Sequence, residues 1–288
     1  MRPIGKKIVG GILLLGVLIG LLVFFLRDKV PEVVPPVEET PVVTRATIGT
    51  SVLGRPIEAI TFGDGENHLV FVGGIHGGYE WNSVLLAYEA MDYLTLHPEV
   101  IPDALMVTII PSANPDGVFK IIGKEGRFTL ADVSLGGDDS LGRFNANNVD
   151  LNRNFDCKWK PESTWRGNVV SAGTSAFSEP ETRAIRDFVT AQSPDAFVFW
   201  HSQANAVYAS ECEMGILPET RTLMTSYATA AGYQTVDVFD SYEVTGDAEG
   251  WLASINIPAI TVELSTHETI EWDKNLRGML ALFKQYSL

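Results

Sequence analysis

The stretch HLVFVGGIHGGYEWNSVLLAYEAMDYL (68–94) changes character in its middle. Its opening residues, through Ile75, form an apolar run of the kind that makes a buried strand. Beyond Gly77 and Gly78 the apolar positions fall at Val84, Leu85, Tyr88, Met91 and Leu94, the 3.6-residue spacing of a helix. A strand that runs straight into a helix puts His76 at a strand end and Glu80 at a helix start. Upstream, PIEAITF (56–62) is a second strand-like run, and the GDGEN between the two runs predicts a hairpin turn. Downstream, LMVTIIP (105–111), AFVFW (196–200) and AITVEL (259–264) are short buried-strand runs, each passing into polar residues. EPETRAIRDFVTAQ (179–192), PETRTLMTSYATAAG (218–232) and the tail from about Thr269 to Tyr286 read as helices. This alternation predicts an α/β class: one α/β/α domain with a mixed, mostly buried central sheet flanked by helices, and a site at the strand ends.

The front of the chain has a different composition. Ile8–Leu26 is a run of nineteen uncharged, mostly apolar residues between Lys6–Lys7 and Arg27-Asp28-Lys29. At about 1.5 Å per residue that run nearly spans a bilayer core of about 30 Å, and no small-x-small cleavage site follows it. Residues 1–29 are therefore expected to be a short cytoplasmic end and one transmembrane helix (8–26), with everything beyond outside the cytoplasm. VPEVVPPVEETPVV (30–43) reads as a semi-extended Pro/Val/Glu-rich linker. Residues 44–288 are left as a single domain, expected to be monomeric.

After the first thirty residues 16 basic side chains stand against 35 acidic ones, a net charge of −19. Such a domain is not a nucleic-acid binder, and its field favours cationic ligands. Cys157 and Cys212 are the only cysteines, too few for a cysteine zinc site. Outside the membrane they form either one disulfide or two free thiols.

The chemistry-bearing residues gather at element ends. His76 and Glu80, four apart, can converge on one cation, and His201 closes the AFVFW run as a third donor. Two imidazoles and a carboxylate suit zinc, and three protein ligands leave a coordination position open, as catalytic zinc requires. Asn152 and Arg153 can hold a carboxylate through a planar guanidinium fork.

In order along the chain, IHGGYEWN (75–82), NPDG (114–117), VDLNRNF (149–155), FSEPETRA (177–184), FWHSQ (199–203), YEVTGDAEGW (242–251) and TVEL (261–264) resemble the zinc carboxypeptidase family of the carboxypeptidase A type, over about residues 70–265. The resemblance implies one zinc ion held by His76, Glu80 and His201. It implies a substrate carboxylate held by Asn152 and Arg153, Glu263 as general base, and Tyr242 as a tyrosine that closes over the substrate. An oxyanion-stabilising arginine is expected as well; Arg143 fills that place, with Arg127 its rival. The family spaces the first His and Glu three apart, so Tyr79 reads as a one-residue insertion. The segment before Trp251 implies a pocket for the C-terminal side chain, with Asp247 and Glu249 as candidate lining residues. Those carboxylates would favour a cationic side chain such as Lys, Arg or diaminopimelate. His68, His97 and His267 fit no ligand place.

The activity implied is a metallocarboxypeptidase acting on peptides or peptidoglycan stem peptides with a free C-terminal carboxylate. Two other classes compete: a zinc amidase or deacylase on the same fold, and a catalytically silent wall-binding scaffold. The first would not need the Asn152–Arg153 grip. The second would be expected to lack a ligand or the base, and here all are present.

Overall fold

The computed structural model describes residues 42–134 and 136–287. The expected membrane span at 8–26 and all but the end of the 30–43 linker lie outside these residues. Among the described residues no helix is long and apolar enough to cross a membrane.

Among the described residues ten strands form: β1 (Val43–Thr50), β2 (Pro56–Phe62), β3 (Asn67–Val72), β4 (Leu105–Ile110), β5 (Glu162–Trp165), β6 (Asn168–Ser171), β7 (Ala196–Ser202), β8 (Ala206–Ala209), β9 (Gln234–Val236) and β10 (Ala259–Leu264). Six helices accompany them: α1 (Trp81–Leu96), α2 (Pro115–Ile122), α3 (Pro180–Gln192), α4 (Pro218–Ala231), α5 (Ala248–Ser254) and α6 (Trp272–Tyr286). Eight strands make one mixed sheet in the order β1-β2-β4-β3-β7-β10-β8-β9, and β5 and β6 make a separate hairpin.

Both sheet faces are covered, which is why its strands read as continuous apolar runs. Leu69, Phe71, Val198 and Trp200 point to a core closed by α1, α4 and α6. Their neighbours Val70, Val72, Phe197 and Phe199 point to the other, closed by α3 and α5. The central strands β4, β3, β7 and β10 run parallel, so their carboxyl ends open at one edge of the sheet. That edge is where an open α/β sheet holds its ligand.

The expected β2–β3 hairpin does not form. β4 lies between the two strands, antiparallel to β2 and parallel to β3. The GDGEN segment instead crosses over the start of β4, so closely that a Cβ on Gly65 would lie 2.0 Å from the Ala104 carbonyl carbon. Its glycines allow backbone to approach backbone, and the insertion of a strand some forty residues downstream leaves no local trace. The linker expectation also ran past its end, since Val43 already pairs with Phe62 in the sheet.

Candidate active site

Glycines build the first part of the site. β3 ends at Val72, and the chain turns through Gly73 and Gly74 before His76. Gly77–Glu80 then forms one 3₁₀ turn that contains Tyr79 and places Glu80 at the N-cap of α1. Gly77 has φ +49°, and a Cβ there would lie 2.5 Å from the carbonyl oxygen of Gly142. This contact draws the segment ending in Arg143 against the turn that carries Glu80.

His201 stands in β7, and Glu263 of β10 is its register partner. His76, Glu80 and His201 are all buried, and one donor atom from each lies within 4.8 Å of the other two. The Nδ1 of His201 is 3.2 Å from Glu80 Oε2, and its Nε2 is 3.1 Å from Glu249 Oε1. His76 Nδ1 is 3.5 Å from Asp150, whose other oxygen accepts from Arg143 Nε at 2.8 Å. Carboxylates behind imidazoles in this way orient metal ligands and raise their basicity.

Burial acts first on His76, His201 and Glu263. It lowers His76 well below its ordinary range, with the Arg143 charge adding to it. At His201 burial also works against the charge, but the Glu80 and Glu249 carboxylates outweigh it and the group is held well above its ordinary value. Burial, reinforced by repulsion from Glu80, pushes Glu263 up to about 7. His76 Nδ1, Glu80 Oε2 and Glu263 Oε2 are buried and make no hydrogen bond, although Asp150 and His201 lie near the first two. Buried polar atoms are ordinarily satisfied, so orphan acceptors beside two imidazoles fit a cation as the common partner. The donor set fits zinc.

The second half of the site has the opposite sign. Arg153 is buried, donates only to the carbonyls of Asn152 (2.5 Å) and Thr164 (3.4 Å), and leaves Nε without a partner. Among the described residues no carboxylate pairs with it. Asn152 beside it is fixed by accepting from the Ala248 amide at 2.8 Å.

The other expected site residues fall as follows. Arg143 reaches Glu80, 3.9 Å away, whereas its rival Arg127 pairs with Asp92 and the Tyr88 carbonyl on the outer side of α1. EVTGDAEGW is not loop throughout, because α5 begins at Ala248. Asp247 caps that helix, accepting from the Gly250 amide at 2.7 Å, so its carboxylate is already engaged. Burial and the neighbouring Glu249 push Asp247 up to about 6. Glu249 is buried and accepts from both His201 and Thr261, which face the site from β7 and β10. Tyr242 packs on Phe239, and Phe239 on Tyr208, in a cluster of rings that includes none of the arginines. His267, expected to be structural or exposed, shares a 2.7 Å hydrogen bond with Ser202 and lies 4.7 Å from the Tyr79 ring.

Sequence reasoning missed Asp150, which serves His76 and Arg143 together. The signal was present: an acid two residues before an Asn-Arg pair, in a chain needing a carboxylate behind a ligating His. Cys157 and Cys212 form a disulfide. It ties the segment after Arg153 to the strand-end loop beside α5.

The zinc carboxypeptidase family model matches residues 37–285, and the chain belongs to that family. It is 25% identical over 242 residues to gamma-D-glutamyl-L-diamino acid endopeptidase 1 of Lysinibacillus sphaericus, covering 76% of this chain and 60% of that enzyme. It is 33% identical over 177 residues to carboxypeptidase B of Helicoverpa zea, covering 57% of this chain. The chain thus spans 60% and 38% of these two relatives' own lengths. Among solved structures, murein-tripeptide amidase MpaA of Escherichia coli O157 superposes with TM-score 0.61 at 27% identity, over 83% of this chain and 91% of that one. Bovine thrombin-activatable fibrinolysis inhibitor shares the fold, with TM-score 0.68 at 21% identity over 85% of this chain and 89% of that one.

Proposed function

We propose that this protein is a zinc-dependent carboxypeptidase that removes the C-terminal residue of peptides, with stem peptides of a bacterial wall as the favoured class. The observation that carries the reading is Arg153, a buried guanidinium that among the described residues forms no ion pair with a carboxylate. A buried unpaired charge is costly, so the site is built to receive an anion there. A C-terminal carboxylate matches the fork bidentately.

His76, Glu80 and His201 would hold the metal, which when bound polarises the scissile carbonyl and lowers the pKa of water. Glu263 takes a proton from the attacking water and passes it to the departing amine. Burial strengthens it as a base by holding its carboxyl above the ordinary range. Arg143, held by Asp150, donates to the carbonyl oxygen on which charge develops. Glu249, kept ionised by its bond to His201, faces the C-terminal side chain beside Thr261 and favours a cationic one. Tyr242 closes from the Phe239 cluster. On this reading the apolar run 8–26 tethers the chain with its catalytic domain outside the cytoplasm.

The likeness to a murein-tripeptide amidase and a glutamyl–diamino acid endopeptidase favours a second reading, amide cleavage within a wall peptide. A tripeptide also ends in a carboxylate, so Arg153 serves that reaction when the released group is the terminal residue. Incubating the zinc-loaded protein with a peptide ending in Lys should liberate free lysine, and a chelator should stop it. Internal cleavage without release of the terminal residue would overturn the proposal in favour of an endopeptidase.

A further inference from the structure

The β5–β6 hairpin touches both Arg153 and Arg143. Thr164 accepts from Arg153, and the Ser163 hydroxyl bonds Thr245 at 3.0 Å. Trp165, on the same strand face as Ser163, lies 5.2 Å edge-on from the Tyr79 ring, with the Arg143 guanidinium 4.7 Å from its own ring. Tyr79, the inserted residue, immediately precedes Glu80, and its other side meets His267 at 4.7 Å. Tyr79, Trp165 and His267 thus make a continuous aromatic rim that starts at the metal ligand Glu80. Among the described residues the side chains of this rim bond none of Asn152, Arg153 and Glu249, the residues that take the terminal residue. Through Tyr79 and Trp165 the rim borders Arg143 and Glu80, so a substrate whose scissile carbonyl meets Arg143 has these rings at hand for the residue before it.

The charge at the rim is opposite to that of the domain. Arg166, at the hairpin tip, is exposed, with its guanidinium 5.7 Å from the Trp165 ring. Among the described residues it forms no ion pair and no side-chain hydrogen bond, although residues 44–288 carry 16 basic against 32 acidic side chains, a net charge of −16. It also occupies an unfavourable turn position. Arg166 and Gly167 have φ +49° and +78°, as the centre of a two-residue hairpin turn demands, and Asn or Gly is the residue that suits the first place. An arginine there costs about 1 kcal/mol or more, a cost a site can retain but a plain turn has no use for. His267 adds no charge at neutral pH, because burial lowers it.

We infer that Tyr79, Trp165 and Arg166 form the subsite for the residue on the amino side of the scissile bond, and that this subsite selects a residue bearing a free carboxylate. The inference rests on the peptidase reading above. The backbone of that residue lies along the two rings, and its carboxylate meets the Arg166 guanidinium, an exposed pairing that salt weakens.

The test uses the zinc-loaded full chain and three acyl-capped peptides that differ only in the penultimate residue, ending Glu-Lys, Gln-Lys and Lys-Lys. Both fragments are quantified, so cleavage is scored wherever it occurs. Expected kcat/KM falls in the order Glu, Gln, Lys, with about a fivefold preference for Glu over Gln at low salt that shrinks at high salt. Arg166→Gln should bring the Glu-to-Gln ratio to near one, and Arg166→Glu should turn the preference toward the Lys-Lys peptide. Equal rates for Glu and Gln in the parent protein, or a Glu preference that survives Arg166→Glu, overturn this inference alone. Absence of hydrolysis of all three overturns the peptidase reading as well.

Discussion

The two halves of the candidate site are electrostatic opposites. Around His76, Glu80 and His201 the protein gathers buried acceptors, places Asp150 and Glu249 beside the imidazoles, and leaves Glu80 Oε2 and Glu263 Oε2 without a hydrogen-bond partner. Around Arg153 it buries a guanidinium and offers only two carbonyls. The donor set of each half fits one sign of ligand: a metal cation in one and a carboxylate in the other. A residue can matter greatly to one half and leave the other intact, so the halves can be separated by mutation.

The largest separation is expected from His201→Ala. It removes a metal donor and leaves Glu80 and Glu249 facing each other across the gap, so bound zinc measured by elemental analysis should fall from about one per chain to near zero, with activity. Unchanged metal content would place the metal elsewhere.

The disulfide belongs to the other half. It closes a loop with sequence separation 55, and in the chain-entropy model such a loop is worth about 4 kcal/mol. Cys157→Ser with Cys212→Ser should lower stability by that order in denaturant titrations and raise KM, while the zinc stoichiometry stays near one. Loss of zinc with intact secondary structure would show that the halves are not independent.

Glu263→Gln tests the metal half without dismantling it. The amide cannot accept the proton, so kcat should fall by at least about 10²-fold with zinc retained. A variant of near-parental rate would end the assignment of Glu263 as base.

The smallest effect is expected at Asp247. Its folded pKa, raised to about 6 first by burial and then by Glu249, means that ionising it costs stability in the folded state. That cost is absent below the ordinary value of 3.8, grows as pH rises to about 6, and is complete above it. Asn can still cap α5 through its side-chain oxygen. Asp247→Asn should therefore raise Tm by about 2–4 °C at pH 8, the shift that 1 kcal/mol gives a domain of this size, and change it little at pH 4. A gain at pH 4 equal to that at pH 8 would show that charge is not the cause.

Much of the site was legible because its residues sit where periodicity stops. The central runs at 68–75, 196–200 and 259–264 end next to His76, His201 and Glu263, and parallel strands carry such ends to one edge. What stayed hidden depended on pairing or on size. Nothing near GDGEN announces that β4 will enter between β2 and β3. α5 has seven residues, one of them Gly250, too short to show a period. β5 and β6 have four residues each, so Trp165 had no readable place beside Arg143. His267 had no motif of its own and was found only by contact with Tyr79 and Ser202.

The central claim is that an uncompensated buried arginine waits for the free end of a peptide. The direct measurement compares kcat/KM for one peptide with a free C-terminus and its C-terminal amide, in the parent protein and in zinc-loaded Arg153→Ala. The parent should favour the free acid strongly, and Arg153→Ala should lose at least about 2 kcal/mol, roughly 30-fold, on the acid while the ratio to the amide collapses. Equal cleavage of acid and amide by the parent, or a preference for the acid that survives Arg153→Ala, would contradict it.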